Sequence, residues 1–167
     1  MNDNSPVFTS DATFSAAENQ TSIGTVTATD ADASDSITFT VSGSELAITS
    51  AGVLTFVSAP DYETKSTYTA TVTASDGTNS TTQDITVNVT NVNDVAPEFT
   101  SEATFSVAEN QTAIGTVTAN DADGDSITFT VSGSELEITS AGVLTFVSAP
   151  DYETKNSYKI KVTINDG

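Results

Sequence analysis

Tyr68-Thr69-Ala70-Thr71-Val72-Thr73-Ala74 is the stretch whose reading decides the fold. Apolar side chains alternate with threonines throughout it. Successive side chains of a strand point to opposite faces, so this pattern describes a strand buried on one face only. Valine and threonine also suit a pleated surface because of their branched Cβ. A helix needs apolar residues three and four apart, and that spacing is sustained nowhere in the chain. Outward from this stretch the same period recurs at Ile23–Ala28, at Ile37, Phe39 and Val41, at Leu54 and Phe56, and at Ile85, Val87 and Val89. Turn signals separate these runs: Asp30-Ala31-Asp32, Ser42-Gly43-Ser44, Ala51-Gly52, Ala59-Pro60-Asp61 and Ser75-Asp76-Gly77. About seven short strands with such turns predict an all-β, antiparallel Greek-key β-sandwich with no helix beyond a turn.

The chain then repeats itself. Ala12-Thr13-Phe14-Ser15-Ala16-Ala17-Glu18-Asn19 returns as Ala103-Thr104-Phe105-Ser106-Val107-Ala108-Glu109-Asn110, and Asp61-Tyr62-Glu63 returns as Asp151-Tyr152-Glu153. The loop at Ala33–Asp35 makes the first copy one residue longer. A copy of this size is a small domain rather than a solenoid unit. Two tandem sandwiches are expected, residues 1–92 and 93–167. The second stops at Asp166-Gly167, whereas the matching Asp76-Gly77 is followed by a further strand from about Thr81 to Thr90. The second sandwich therefore lacks its last strand here. The start, Met1-Asn2-Asp3-Asn4, carries no apolar run of the signal-peptide kind. The reading expects a piece of a longer array, with strand donation by another molecule, and hence a filament subunit, as the alternative.

Charge restricts the partners. The chain holds 23 acidic residues against 4 basic ones, a formal charge of −19. Such a field repels nucleic acid and anionic membrane and attracts divalent cations. Neither Cys nor His is present, so disulfides, thiolate metal sites and Ser-His-Asp or Cys-His catalysis are excluded. No stretch is long enough to span a bilayer. The acidic residues avoid the strands and gather in loops, in an order unlike a hydrolase's facing carboxylate pair. No enzyme is expected.

Between the copies runs Thr90-Asn91-Val92-Asn93-Asp94-Val95-Ala96-Pro97-Glu98-Phe99. Pro97 cannot donate to a ladder and biases Ala96 toward extended backbone, so the segment reads as a linker. Asn91, Asn93 and Asp94 offer oxygen to a hard cation such as calcium, which takes six to eight such ligands. Asp121-Ala122-Asp123-Gly124-Asp125 opens like an EF-hand loop. However, Ser126 and Ser132 stand where that loop needs Gly and Glu, so the EF-hand is excluded.

Ala17-Glu18-Asn19, Asp30-Ala31-Asp32, Asp61-Tyr62-Glu63, Asp76-Gly77 and the linker Asn91–Pro97, in this order, resemble the cadherin repeat. The resemblance covers almost the whole chain, twice. It implies extracellular domains joined by calcium at each linker, a rod or spacer in a surface or secreted adhesin, with homophilic contact as one expected partner mode. The expected source is bacterial. At the junction the resemblance implies Glu18, Asp61 and Glu63 from the first repeat. It adds Asn91, Asn93 and Asp94 from the linker, then Asp121, Asp123, Asp125 and Asp166 from the second repeat. About two or three calcium ions are expected there. Asn91 and Val95 depart from the family's usual Asp and Asn. Partial sites are expected at Asn2, Asp3, Asn4, Asp30, Asp32 and Asp76, and at Glu109, Asp151 and Glu153. The family's Trp-anchored strand exchange is not implied, since no Trp is present. A calcium-dependent polysaccharide-binding module is the alternative. Asn79-Ser80-Thr81 and three similar triplets match the glycosylation pattern, as a Thr-rich chain does by chance. The four tyrosines, at positions 62, 68, 152 and 158, are expected to pack in cores or at the junction.

Overall fold

The computed structural model describes residues 2–32 and 36–167, so the loop extension expected at Ala33–Asp35 lies outside the described residues. The chain divides into two compact units, residues 1–92 and 93–167.

The first unit contains β1 (Val7–Phe8), β2 (Thr13–Ala17), β3 (Ser22–Thr25), β4 (Ala28–Thr29), β5 (Thr38–Val41), β6 (Leu46–Ile48), β7 (Val53–Phe56), β8 (Thr67–Ser75) and β9 (Ser80–Thr90). One sheet has the order β2-β9-β8-β5, and the other has the order β3-β7-β6. A two-residue ladder joins β1 to β4. β2 runs parallel to β9, and the remaining neighbours are antiparallel. With β1 and β2 counted as one broken edge strand, and β3 and β4 as one interrupted strand, the unit is the expected seven-stranded sandwich.

The alternation in the sequence becomes a core between the sheets. Val72, Ala74, Ile85 and Val87 from one sheet meet Leu46, Leu54 and Phe56 from the other, and all are buried. Thr69, Thr71 and Thr73 occupy the opposite face of β8. Gly52 ends the β6–β7 hairpin at φ +89°, donating its N–H to the Thr49 carbonyl at 2.9 Å. A Cβ there would stand 2.2 Å from the Val26 carbonyl oxygen, so only glycine fits.

The second unit contains β10 (Glu98–Phe99), β11 (Ala113–Thr116), β12 (Ala119–Asn120), β13 (Thr128–Val131), β14 (Leu136–Ile138), β15 (Val143–Phe146) and β16 (Val162–Asn165). Its pairings are β10-β12, β11-β15-β14 and β13-β16. No counterpart of β9 is present among the described residues. The consequences reach further than the sequence reading expected. Residues 104–108, which match β2, form no strand, and neither do residues 157–161, which match the first half of β8. Both segments match strands that β9 holds in the first unit, so both lose their ladder together. The buried core shrinks to Val117, Leu136, Leu144 and Phe146.

The tyrosines divide two and two. Tyr68 and Tyr158 pack edge-on against Phe56 and Phe146, with ring centroids 5.0 and 4.9 Å apart. Tyr62 and Tyr152 lie outside both cores and are exposed, because both stand in the polar turn that follows Pro60 or Pro150.

Candidate metal centre

Glu18 is built into place by the residue after it. Asn19 has φ 61°, a left-handed conformation that asparagine tolerates better than most residues. Its N–H donates to the Pro60 carbonyl at 3.0 Å. The chain reverses there, and the Glu18 carboxylate turns inward to 3 % exposure. It accepts the Tyr62 N–H at one oxygen and the Val92 N–H at the other, both at 2.7 Å. Glu63 brings a carboxylate oxygen within 4.8 Å of it. Asp61 serves its own turn, accepting the Thr64 N–H at 3.1 Å and the Thr64 hydroxyl at 2.9 Å. Asn91 follows the end of β9 and is exposed. In the second unit Asn110 repeats the left-handed turn, and Glu109 accepts the Tyr152 N–H at 3.1 Å. Glu109, Asp151 and Glu153 gather within 4.8 Å, and all are exposed.

At the other end of each unit, an aspartate organises the incoming chain. Asp32 accepts the N–H groups of Asp3 and Asn4 at 3.1 and 2.9 Å, and the Asn4 side chain at 3.2 Å. The Asn4 N–H foremost holds the Asp32 carboxyl below its usual range, against burial and the neighbouring Asp76 charge. Asp123 repeats the arrangement, accepting the N–H groups of Asp94 and Val95 at 3.0 and 2.8 Å. Carboxylate oxygens of Asp121, Asp123 and Asp125 lie within 4.8 Å of one another. The Asp121 side chain is only 8 % exposed, and its Oδ2 is buried with no hydrogen-bond partner. Asp30 Oδ2 is buried in the same way in the first unit. A buried carboxylate oxygen without a donor is costly unless a cation meets it, so this donor set fits calcium. The Asn93 side chain reaches the Asp166 carbonyl oxygen at 3.5 Å, which brings that loop to the linker.

Two kinds of participant escaped the sequence. The backbone N–H groups of Tyr62, Val92 and Val95 carry no sequence signal at all. Asn79 was visible only as a glycosylation triplet. Its side-chain nitrogen instead donates to Asn2 Oδ1, the Asn4 carbonyl and Asp76 Oδ2 at 3.0, 2.8 and 3.3 Å. The Asp-x-x-Asn spacing of Asp76 and Asn79 was the signal available. Burial works against the Asp76 carboxylate, yet the N–H groups of Asn79 and Thr78 outweigh it and lower its pKa.

Residues 12–90 match the Cadherin domain family, and residues 93–167 match a Bacterial Ig domain family. The chain is 32 % identical over 188 residues to human Cadherin EGF LAG seven-pass G-type receptor 1, across 99 % of its own length. The chain is a tandem of cadherin-like repeats. It is also 35 % identical over 161 residues to human Protocadherin Fat 4, across 84 % of its length. It spans 6 % and 3 % of these two relatives' lengths. Among solved structures it is similar to mouse Cadherin-23 EC22-24, with a TM-score of 0.81 at 25 % identity, covering 100 % of this chain and 61 % of that one. The human Desmocollin-1 ectodomain shares the fold at a TM-score of 0.76 and 21 % identity, over 99 % of this chain and 38 % of that one. These cadherin-like repeats thus have the fold of adhesion-protein ectodomains.

Proposed function

We propose that these repeats form a calcium-rigidified segment of an extracellular surface or secreted adhesin, acting as a rod or spacer. The observation that carries this reading is the Asp121–Asp123–Asp125 cluster, with a buried, donorless oxygen on Asp121 and the linker backbone tied to Asp123. Asp94 and Asp166 lie on the segments that meet this cluster's loop and would complete it. The family resemblance assigns Glu18, Asp61, Glu63, Asn91 and Asn93 to the same calcium-dependent linker. When bound, calcium supplies positive charge to carboxylates that otherwise repel one another. The chain's own residues do the rest. Asp123 fixes the path of Asp94 and Val95, and Glu18 fixes the end of β9 through Val92. The match to a Bacterial Ig domain supports a bacterial source. No helix among the described residues is long and apolar enough to cross a membrane.

The test is thermal unfolding in EDTA and then in millimolar calcium, with bound ions counted by titration. A rise in Tm with about two or three ions bound supports the reading. Asp121→Asn should lose part of that rise and at least one ion. An unchanged Tm and no measurable calcium binding would overturn it.

A further inference from the structure

In the first unit residues 76–79 close the hairpin between β8 and β9. The Asp76 N–H donates to the Asn79 carbonyl at 3.2 Å. Asp76 Oδ1 accepts in return the N–H groups of Thr78 and Asn79 at 2.7 and 2.6 Å. This turn sets the half-buried Asn79 side chain against Asn2–Asn4, the segment that leads into β1. The Asn79 side-chain nitrogen carries two hydrogens and meets three acceptors. They are the Asn4 carbonyl at 2.8 Å, Asn2 Oδ1 at 3.0 Å and Asp76 Oδ2 at 3.3 Å. Pro6, just beyond, is fully buried, so the segment is pinned on both sides of Ser5. A carbonyl and a carboxylate are both oxygens that a hard cation takes. One nitrogen holding both fixes their separation before any cation arrives. The neighbouring carboxylates of Asp32 and Asp76 repel each other, so a metal-free tie at this place must add no negative charge. An amide is neutral and offers two N–H donors. Aspartate would have the same shape with no donor, and serine would have one. None of the motifs that resemble the cadherin repeat includes position 79.

We propose that Asn79 is a positioning residue. It ties Asn2–Asn4 to the Asp76 loop without metal, and by holding the Asn4 carbonyl beside the Asp76 carboxylate it sets the calcium affinity of this end of the first unit. The affinity half rests on the calcium reading above, whereas the tie does not. Asn79 touches the oxygens that would meet an ion and does not itself offer one of them. Partners of this kind, one step removed from a metal, typically change its affinity by about 10–100-fold when removed.

The experiment uses the full chain and has two arms. In EDTA, amide hydrogen exchange of Asp3 and Asn4 is compared between the wild type and Asn79→Ala. Exchange should rise about tenfold in the variant, while the β9 amides keep their protection and so report an intact fold. Asn79→Asp should raise it at least as much, since the side chain keeps its size and loses its donors. In the second arm calcium is titrated and amide shifts are followed at Asp30, Asp32 and Asp76, and separately at Asp121 and Asp123. Asn79→Ala should weaken binding about tenfold at the first group and leave the second unchanged. Unchanged exchange of Asp3 and Asn4 in EDTA would overturn the tie. Unchanged affinity at the first group, or an equal loss at both groups, would overturn the positioning role. A wild-type chain whose shifts ignore calcium at both groups would overturn the calcium reading and the affinity half with it, and the EDTA arm would still decide the tie.

Discussion

Glu18 and Glu109 occupy matching positions and do different work. Glu18 holds two backbone N–H groups in a buried pocket, whereas Glu109 holds one at the surface. Removing a buried acceptor leaves its donors unsatisfied, at about 1–3 kcal/mol each. Glu18→Ala should therefore destabilise the first unit by about 2–4 kcal/mol even in EDTA, and Glu109→Ala the second by under about 1 kcal/mol. Denaturant unfolding with separate probes for each repeat measures both, and equal losses would contradict the geometry. Gly52 and Gly43 give a parallel contrast. Both have positive φ, but a Cβ at Gly43 meets open space, while one at Gly52 meets the Val26 carbonyl at 2.2 Å. Gly43→Ala should cost about 1 kcal/mol through strain alone, and Gly52→Ala at least twice that. At this scale the sequence was only partly legible. Ala-Glu-Asn marked the carboxylate, and Ala51-Gly52 marked a turn. Which of two identical glutamates becomes buried depends on β9, more than sixty residues away along the chain from Glu18, and local pattern cannot report that.

The strands were more legible than the segments that fail to become strands. Alternation in Tyr68–Ala74 and Ile85–Val89 fixes which face of β8 and β9 is buried, since a one-residue slip would invert both. The same alternation stands in residues 104–108, yet no strand forms there, because pairing requires a neighbour that the local sequence does not contain. The acidic turns behave similarly. Their motifs are visible, but the hydrogen bonds that tie Asp32 to Asp3 and Asn4 come from a distant segment. That tie has a pH dependence with a definite sign. The folded Asp32 and Asp76 carboxyls titrate below their ordinary value of 3.8. Their contribution is therefore complete above that value and is lost as pH falls through the depressed folded pKa. Amide chemical shifts of Asp3 and Asn4, followed in EDTA from neutral pH down to about pH 2, should stay constant to about pH 4 and then move together. Asp32→Asn should abolish that step. A step near neutral pH, or one unchanged in Asp32→Asn, would assign it to another group.

For the molecule as a whole, the two repeats are nearly the same sequence with unequal means of staying folded. Among the described residues the first buries eleven apolar residues in one core, ten of them in the β2-β9-β8-β5 and β3-β7-β6 strands, whereas the second buries four. Buried apolar area is the main favourable contribution to folding, at about 25 cal/mol per Å², so the second unit should be much the less stable of the two. In EDTA the chain should unfold in two steps rather than one. Ile85→Ala, which opens a cavity in the first core, should lower the upper transition by about 2–5 kcal/mol and leave the lower one in place. Leu144→Ala should act on the lower transition alone. Differential scanning calorimetry, with hydrogen exchange to assign each step to its repeat, decides the matter. A single transition that both substitutions shift equally would mean that the repeats unfold as one cooperative body, and the difference in core size would then have no separate thermodynamic expression.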